Sequence, residues 1–163
     1  LSWRNIWENV IISMCDIANL KQCQECLLIN EEENFMQKKA FLFSAGDYEG
    51  TLRFPKSKLD LLGTKYDIAA MEKRLKQIDF SIIKKEDAKK NELLSMIQQE
   101  IVSLPQDSIS VVYYTGHGGH CNGINYIYPT DFATVYENNN INDAGIDIKE
   151  IIEMKRKFPA MKL

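Results

Sequence analysis

Ser108-Ile109-Ser110-Val111-Val112-Tyr113-Tyr114-Thr115-Gly116-His117-Gly118-Gly119-His120 is the stretch that decides the fold. Ser108 to Tyr114 is an apolar-rich run too short for a helix. It reads as a strand buried on both faces, and such strands belong to parallel sheets covered by helices. The strand delivers His117 to its carboxyl end, the rim at which open α/β sheets bind ligands. Histidine is the side chain suited to take and return protons near neutral pH. Glycine on either side of it lets a substrate backbone approach closely, and the Gly118 amide is placed to point at a developing oxyanion. The chemistry this suggests is acyl transfer. A histidine that caps a turn in a glycine-rich loop would fit the same few residues.

Working outward, Lys39-Ala40-Phe41-Leu42-Phe43-Ser44-Ala45-Gly46 is a second short apolar run, ended by glycine. Between the two runs, Ile68, Met71, Leu75 and Ile78 recur at helical spacing, and Phe80 to Ile83 returns to strand composition. Leu93, Leu94, Ile97, Ile101 and Leu104 make another helix face, which Pro105 stops. Asp47 to Gly63 is punctuated by Gly50, Pro55 and Gly63 and reads as loop. Downstream, Gly123 to Pro129 alternates like an edge strand or hairpin arm. Asp147, with Glu150 three residues later, opens a helix through Ile148, Ile151 and Ile152. Ala160 to Leu163 begins one more strand. Strands alternating with helices predict an α/β fold, a mostly parallel sheet flanked by helices with right-handed crossovers. Function should gather in the loops after Ala45 and after Tyr114.

The rest of the chain bounds the answer. With 163 residues, 45% hydrophobic and 26% charged, it has the profile of a soluble globular domain. The net charge is -3 and basic residues are scattered among acidic ones, so no stripe offers a nucleic-acid backbone a continuous footprint. No apolar run reaches the length of a membrane span. Ile6, Val10, Met14 and Ile17, with Trp3 and Trp7 on a neighbouring face, predict an amphipathic helix over residues 3 to 20. A linker with the acidic run Glu31-Glu32-Glu33 follows. Residues 1–37 are therefore set apart, as a helix and linker whose attachment the sequence leaves open, from a main unit at 38–163. Cys23 and Cys26 have CxxC spacing, but neither four zinc ligands nor a preceding strand accompanies them, and His117 and His120 lie far away. Reduced cysteines of a cytoplasmic protein are the simpler account, and no metal or other cofactor is called for.

Tyr113-Tyr114-Thr115-Gly116-His117-Gly118 resembles the histidine motif of the caspase-fold cysteine peptidases, in particular its paracaspase and metacaspase form. Other segments match in order: Lys39 to Gly46 resembles the family's first strand, Leu61 to Asp67 with Met71 and Leu75 its first helix, Ile78 to Ile82 its second-strand entry, and Gly123 to Asp131 the segment after the histidine. The resemblance covers roughly residues 38 to 163 and implies a three-layer caspase-like fold, of which this chain would hold the His-bearing portion. It implies that His117 accepts the nucleophile's proton and protonates the leaving amine, and that Gly118 helps form the oxyanion hole. Asp67 falls on the acidic position lining the pocket for a basic side chain before the cut bond. An ordinary first-turn helix carboxylate, favoured by the macrodipole, is the other account of Asp67.

The family's nucleophilic cysteine follows a strand whose opening resembles Met161-Lys162-Leu163, so it is expected from sequence beyond this chain. Cys121 is close to His117 in sequence, but a cysteine peptidase needs the two side chains on separately fixed elements, and His120 stands beyond the matching glycines as a loop residue. The expected function is an endopeptidase cleaving after Arg or Lys, acting on peptide or protein substrates without a metal in bond cleavage. Its partners would be the Cys-bearing remainder of the catalytic unit and, as in relatives, a dimer mate or adaptor. Calcium dependence occurs in many metacaspases, but no acidic spacing here defines an ion site. The rivals are a caspase-fold scaffold that binds partners without catalysis, and a flavodoxin-like binding module, the latter weakened because Gly46 to Gly50 is no phosphate cradle.

Overall fold

The computed structural model describes residues 9–14, 37–105 and 108–157. In chain order the elements are β1 (Asn9–Met14), β2 (Lys38–Ser44), α1 (Lys56–Leu59), α2 (Thr64–Lys76), β3 (Ser81–Glu86), α3 (Lys90–Val102), β4 (Ile109–Thr115), β5 (Gly118–Cys121), β6 (Ile124–Ile127), α4 (Phe132–Asn138), α5 (Ile141–Ala144), β7 (Ile146–Asp147) and α6 (Ile148–Lys157). The main sheet has the order β1-β4-β2-β3, in which β4, β2 and β3 are parallel and β1 is antiparallel to β4. A small antiparallel sheet, β5-β6-β7, follows the histidine.

The central strand β2 shows why this sheet needs helices on both faces. Ala40, Phe41, Leu42 and Phe43 are all buried, and successive side chains point to opposite sides. Ala40 and Leu42 join Ile68 and Leu75 of α2, with Phe80 and Tyr113, in one cluster. Phe41 and Phe43 join Val112 and Tyr114 with Leu93, Ile97 and Ile101 of α3 and Ile151 of α6 in the other. Each fully buried side chain of this kind contributes about 1.5–3 kcal/mol relative to exposure. The α/β three-layer expectation is met.

Local signals end α2 where β3 must begin. Asp79 adopts a left-handed conformation (φ 64°), the Phe80 amide donates to the Leu75 carbonyl at 3.1 Å, and the Asp79 amide donates to Lys76 at 3.3 Å. This is the Schellman pattern, with its accompanying apolar contact between Leu75 and Phe80. Ile78, counted by spacing into the helix face, lies past the helix and is 54% exposed.

Three expectations are corrected. Residues 9–14 lie inside the predicted amphipathic helix but form β1, paired along β4 from Asn9 opposite Thr115 to Met14 opposite Ser110. The β-branched trio Val10-Ile11-Ile12 suits a strand, and the edge of β4 offers unpaired backbone groups that a strand can satisfy. The remainder of that predicted helix, the linker, Cys15, Cys23, Cys26 and the strand expected at 160–163 lie outside the described residues. Within the segment read as loop, residues 56–59 form the one-turn helix α1. Of the two accounts of residues 123–129, the hairpin arm holds, since β6 pairs antiparallel with β5 across Asn122 and Gly123, and the edge strand does not, since β6 is the middle strand of its small sheet, with Tyr126, Ile127 and Tyr128 all buried.

Candidate functional site

The carboxyl ends of β2 and β4 lie side by side, with the Ala45 amide donating to the Thr115 carbonyl at 2.9 Å. The two loops marked as functional in the sequence therefore meet. His117 lies between β4 and β5 and is 9% exposed. Its Nε2 is 2.8 Å from the carbonyl oxygen of Leu59, the last residue of α1. A carbonyl can only accept, so Nε2 carries the proton, and in the neutral ring Nδ1 is then the basic nitrogen.

Backbone bonds fix the histidine as firmly as this ring contact does. The His117 amide donates to the Tyr48 hydroxyl at 2.8 Å, and the His117 carbonyl accepts from the Tyr128 amide at 2.9 Å. The Tyr48 ring packs against the imidazole with centroids 5.0 Å apart. The Tyr48 hydroxyl in turn donates to the Tyr128 carbonyl at 3.0 Å, and the Tyr114 hydroxyl donates to the same carbonyl at 2.6 Å. Burial holds both of these phenols well above their ordinary pKa, so they stay protonated donors at any working pH. Burial likewise raises the Tyr128 phenol to about 12.

The loop that carries Tyr48 is pinned from three sides. Asp87, at the end of β3, accepts the Gly46 and Asp47 amides at 2.8 and 2.9 Å. Asp60 accepts the Tyr48 amide at 3.0 Å. The Lys56 ammonium pairs with Asp47 and Asp60 and donates to the Tyr48 carbonyl at 3.1 Å. Beyond it, Glu49 pairs with Lys89 at 2.6 Å and accepts from Thr134, and the Lys89 bond is the main reason its carboxyl sits below the usual range.

Asp67 is the fourth residue of α2 and half-buried. Its Oδ2 accepts the Thr115 hydroxyl at 3.1 Å, which ties it to the strand end two residues before His117. Burial first, and the Asp67 carboxylate second, raise the phenol of neighbouring Tyr113. The carboxylate also sits in the first turn of α2, with Lys73, Arg74 and Lys76 in the last, so its place suits the helix dipole as well. Gly118 opens β5 opposite Ile127. His117, Gly118 and Asp67 are thus brought to one end of the sheet.

His120 and Cys121 are carried away from it. His120 belongs to β5 and not to a loop, is exposed, and bonds Asn125 across the hairpin at 2.8 Å. Cys121 ends β5, about 13 Å along the strand from His117 at about 3.3 Å per residue. Among the described residues no three His, Cys, Asp or Glu side chains gather as metal ligands. No helix among them is long and apolar enough to cross a membrane.

Two of the glycines near His117, Gly116 and Gly119, are required by packing. A Cβ on Gly116 would overlap the Tyr114 hydroxyl, and a Cβ on Gly119 would overlap that of Tyr128. These positions make room for the tyrosines that hold the histidine loop. Tyr128 is stacked on Phe132 at 3.8 Å and cannot swing aside freely. Gly119→Ala is therefore expected to destabilise by about 1–3 kcal/mol. Gly63, with φ -76° and open space around its Cα, should accept alanine with a change of at most about 1 kcal/mol. Paired urea unfolding curves check this, and equal midpoints for the two variants would refute the packing argument.

Sequence reasoning missed the Leu59 carbonyl and the roles of Tyr48, Tyr114 and Tyr128. The carbonyl has no residue-type signature. The signal available for Tyr48 was a large aromatic four residues past the carboxyl end of a buried strand.

Compared with known families, residues 37–159 match the caspase domain model of peptidase family C14. No curated protein matches the chain. The matched span begins just before β2 and leaves β1 outside it. It takes in the parallel strands β2, β3 and β4 with α2 and α3, the histidine loop, the small antiparallel sheet and α6, and on that breadth the chain belongs to the caspase-domain family, a family of cysteine-peptidase hydrolases.

Proposed function

We propose that this chain supplies the histidine side of a caspase-like cysteine endopeptidase that cleaves protein substrates after Arg or Lys. The observation that carries the reading is the Nε2–H bond from His117 to the Leu59 carbonyl at 2.8 Å, in a ring 9% exposed at the carboxyl edge of a parallel sheet. That bond fixes the tautomer as a buried carboxylate does in other triads. His117 Nδ1 takes the proton of a cysteine thiol supplied by sequence downstream of α6, and the thiolate attacks the scissile carbonyl. The Gly118 amide stabilises the oxyanion, and the imidazolium then protonates the leaving amine. Water, deprotonated by the same ring, hydrolyses the acyl-enzyme.

Asp67 supports the basic preference. Its carboxylate stands at the strand end beside the histidine loop with one oxygen held by Thr115, a fixed anion for a guanidinium or ammonium. The same likeness to paracaspases and metacaspases makes a cytoplasmic location and control by dimerisation or an adaptor part of this reading.

The test uses the chain extended through its native downstream sequence, on matched fluorogenic peptides ending in Arg, Lys or Asp, with and without calcium and enforced dimerisation. Cleavage after Arg or Lys is expected. In Asp67→Asn, kcat/KM for the Arg peptide should fall about 30- to 300-fold, largely through KM, as expected for losing a charge-assisted bidentate contact. Preference for Asp would overturn the role given to Asp67. No cleavage by a folded extended protein under all conditions would favour a caspase-fold scaffold.

A further inference from the structure

We infer that Tyr48 is a positioning residue for His117: its buried hydroxyl, reaching across from the loop after β2, accepts the histidine amide and holds the imidazole on the Leu59 carbonyl. The inference rests on the catalytic reading of His117 only for its functional consequence.

That hydroxyl has three polar neighbours, the Tyr128 carbonyl, the His117 amide and, more distant at 3.3 Å, the Tyr114 hydroxyl. It has a single proton and two lone pairs. The proton goes to the Tyr128 carbonyl at 3.0 Å, and a lone pair receives the His117 N–H at 2.8 Å. Tyr128 is also the residue whose amide donates to the His117 carbonyl at 2.9 Å. Both backbone groups of His117 are therefore bonded to a closed circuit that runs His117, Tyr48, Tyr128 and back. The Tyr114 hydroxyl braces it, donating its own single proton to the Tyr128 carbonyl at 2.6 Å, in preference to the His117 carbonyl at 3.3 Å. Tyr48 is 2% exposed and Tyr114 0%, so water cannot stand in for either hydroxyl without a cavity being opened.

The ring contact adds a second constraint. The phenol face packs on the imidazole at 5.0 Å with a 46° tilt, on the flank set by Tyr48 itself. One side chain thus sets the height of the His117 backbone through its hydroxyl and the rotation of the imidazole through its ring. Asp87, Asp60 and Lys56, with the Glu49 amide donating to the Thr130 carbonyl at 2.8 Å, hold the Tyr48 loop in place for it. Tyr48 touches none of the reacting atoms of the proposed reaction, and acts through His117.

The chain has two histidines, and the structure gives them opposite tautomers, which makes the inference measurable. His117 donates from Nε2 to a carbonyl, while His120 offers Nδ1 to the Asn125 side-chain oxygen. Long-range nitrogen-proton NMR of this chain should show one ring of each kind. Tyr48→Phe keeps the ring but removes the acceptor, and it should convert the His117 signal to a tautomer mixture while His120 stays unchanged. Amide exchange at His117 should accelerate at least about tenfold. Tyr126→Phe, which removes a hydroxyl bonded to Asn142 in the neighbouring small sheet, should leave both histidine signals as they were.

In the extended chain, Tyr48→Phe should lower kcat about 10- to 100-fold with KM within about twofold, the split expected when base alignment and not binding is lost. A folded Tyr48→Phe with unchanged His117 tautomer and amide protection would overturn the inference. Should that variant not fold, the parent decides: slow exchange of the His117 amide, comparable to β4, supports the bond to Tyr48, and exchange at the rate of an open loop refutes it. The expected spectra without any peptide cleavage would sink the peptidase reading and leave the control of His117 by Tyr48 standing.

Discussion

His117→Ala, in the chain extended through its downstream sequence, is expected to cut turnover of an Arg-ending peptide about a thousandfold or more while leaving the fold in place. The two halves of this expectation have separate causes. In the proposed mechanism the ring alone supplies the proton acceptor at Nδ1 and the proton for the leaving amine, steps worth about 10²–10⁴ in rate. The amide and carbonyl, which bond Tyr48 and Tyr128, are retained by alanine. The thermal midpoint should therefore fall by several degrees without loss of the fold, through lost packing on Tyr48 and the lost bond to the Leu59 carbonyl. His120→Ala removes an exposed ring bonded to Asn125 and should stay within about twofold of the parent. Retention of more than about a tenth of turnover in His117→Ala would remove the histidine from the mechanism.

What the sequence made legible depended on whether one residue type forced one environment. Phe41, Leu42 and Phe43 could be read as a strand covered on both faces because three consecutive large apolar side chains have no solvent side, and they divide between the two cores as that reading requires. His117 was legible because strand composition stops at Thr115 and leaves the next side chain at a rim. Residues 9–14 were not legible, since Ile6, Val10 and Met14 satisfy a helical period while Val10-Ile11-Ile12 suits a strand. The pairing with β4 settles the conflict, and it is tertiary information. Residues 132–144 gave no expectation because α4 and α5 are short and the stretch Glu137-Asn138-Asn139-Asn140 breaks any apolar period. Within the site, the Leu59 carbonyl is backbone and any residue could present it. Gly116 and Gly119 lie against the hydroxyls of Tyr114 and Tyr128, neighbours that only the folded chain brings there and that the sequence did not announce.

Asp87 gathers more of this site than its distance from His117 in sequence suggests, and Asp87→Ala is expected to destabilise the protein by about 2–4 kcal/mol. Its carboxylate receives two amides, Gly46 and Asp47, and bonds to a charged acceptor contribute about 1.5–3 kcal/mol each when buried, less here because Asp87 is half-exposed. Its backbone is left-handed, φ 52°, which costs an alanine about 1–2 kcal/mol and an aspartate less. Its own amide donates to the Ser44 carbonyl, and its carbonyl accepts the Thr130 hydroxyl, bonds that no substitution with an intact backbone removes. A series therefore separates the two side-chain effects. Asp87→Asn keeps an acceptor oxygen and tolerates the left-handed backbone, so it should lose about 1 kcal/mol. Asp87→Gly loses the acceptor but not the backbone fit, and Asp87→Ala loses both, so the order of stability in urea should be Asn, Gly, Ala. Alanine equal to glycine would show that the left-handed backbone carries no cost, and asparagine equal to alanine would show that the two amides do not depend on Asp87. Because Gly46 and Asp47 lead directly into Tyr48, the alanine variant of the extended chain should lose more turnover than its folded fraction accounts for, as the loop that holds His117 loosens before the sheet beneath it does.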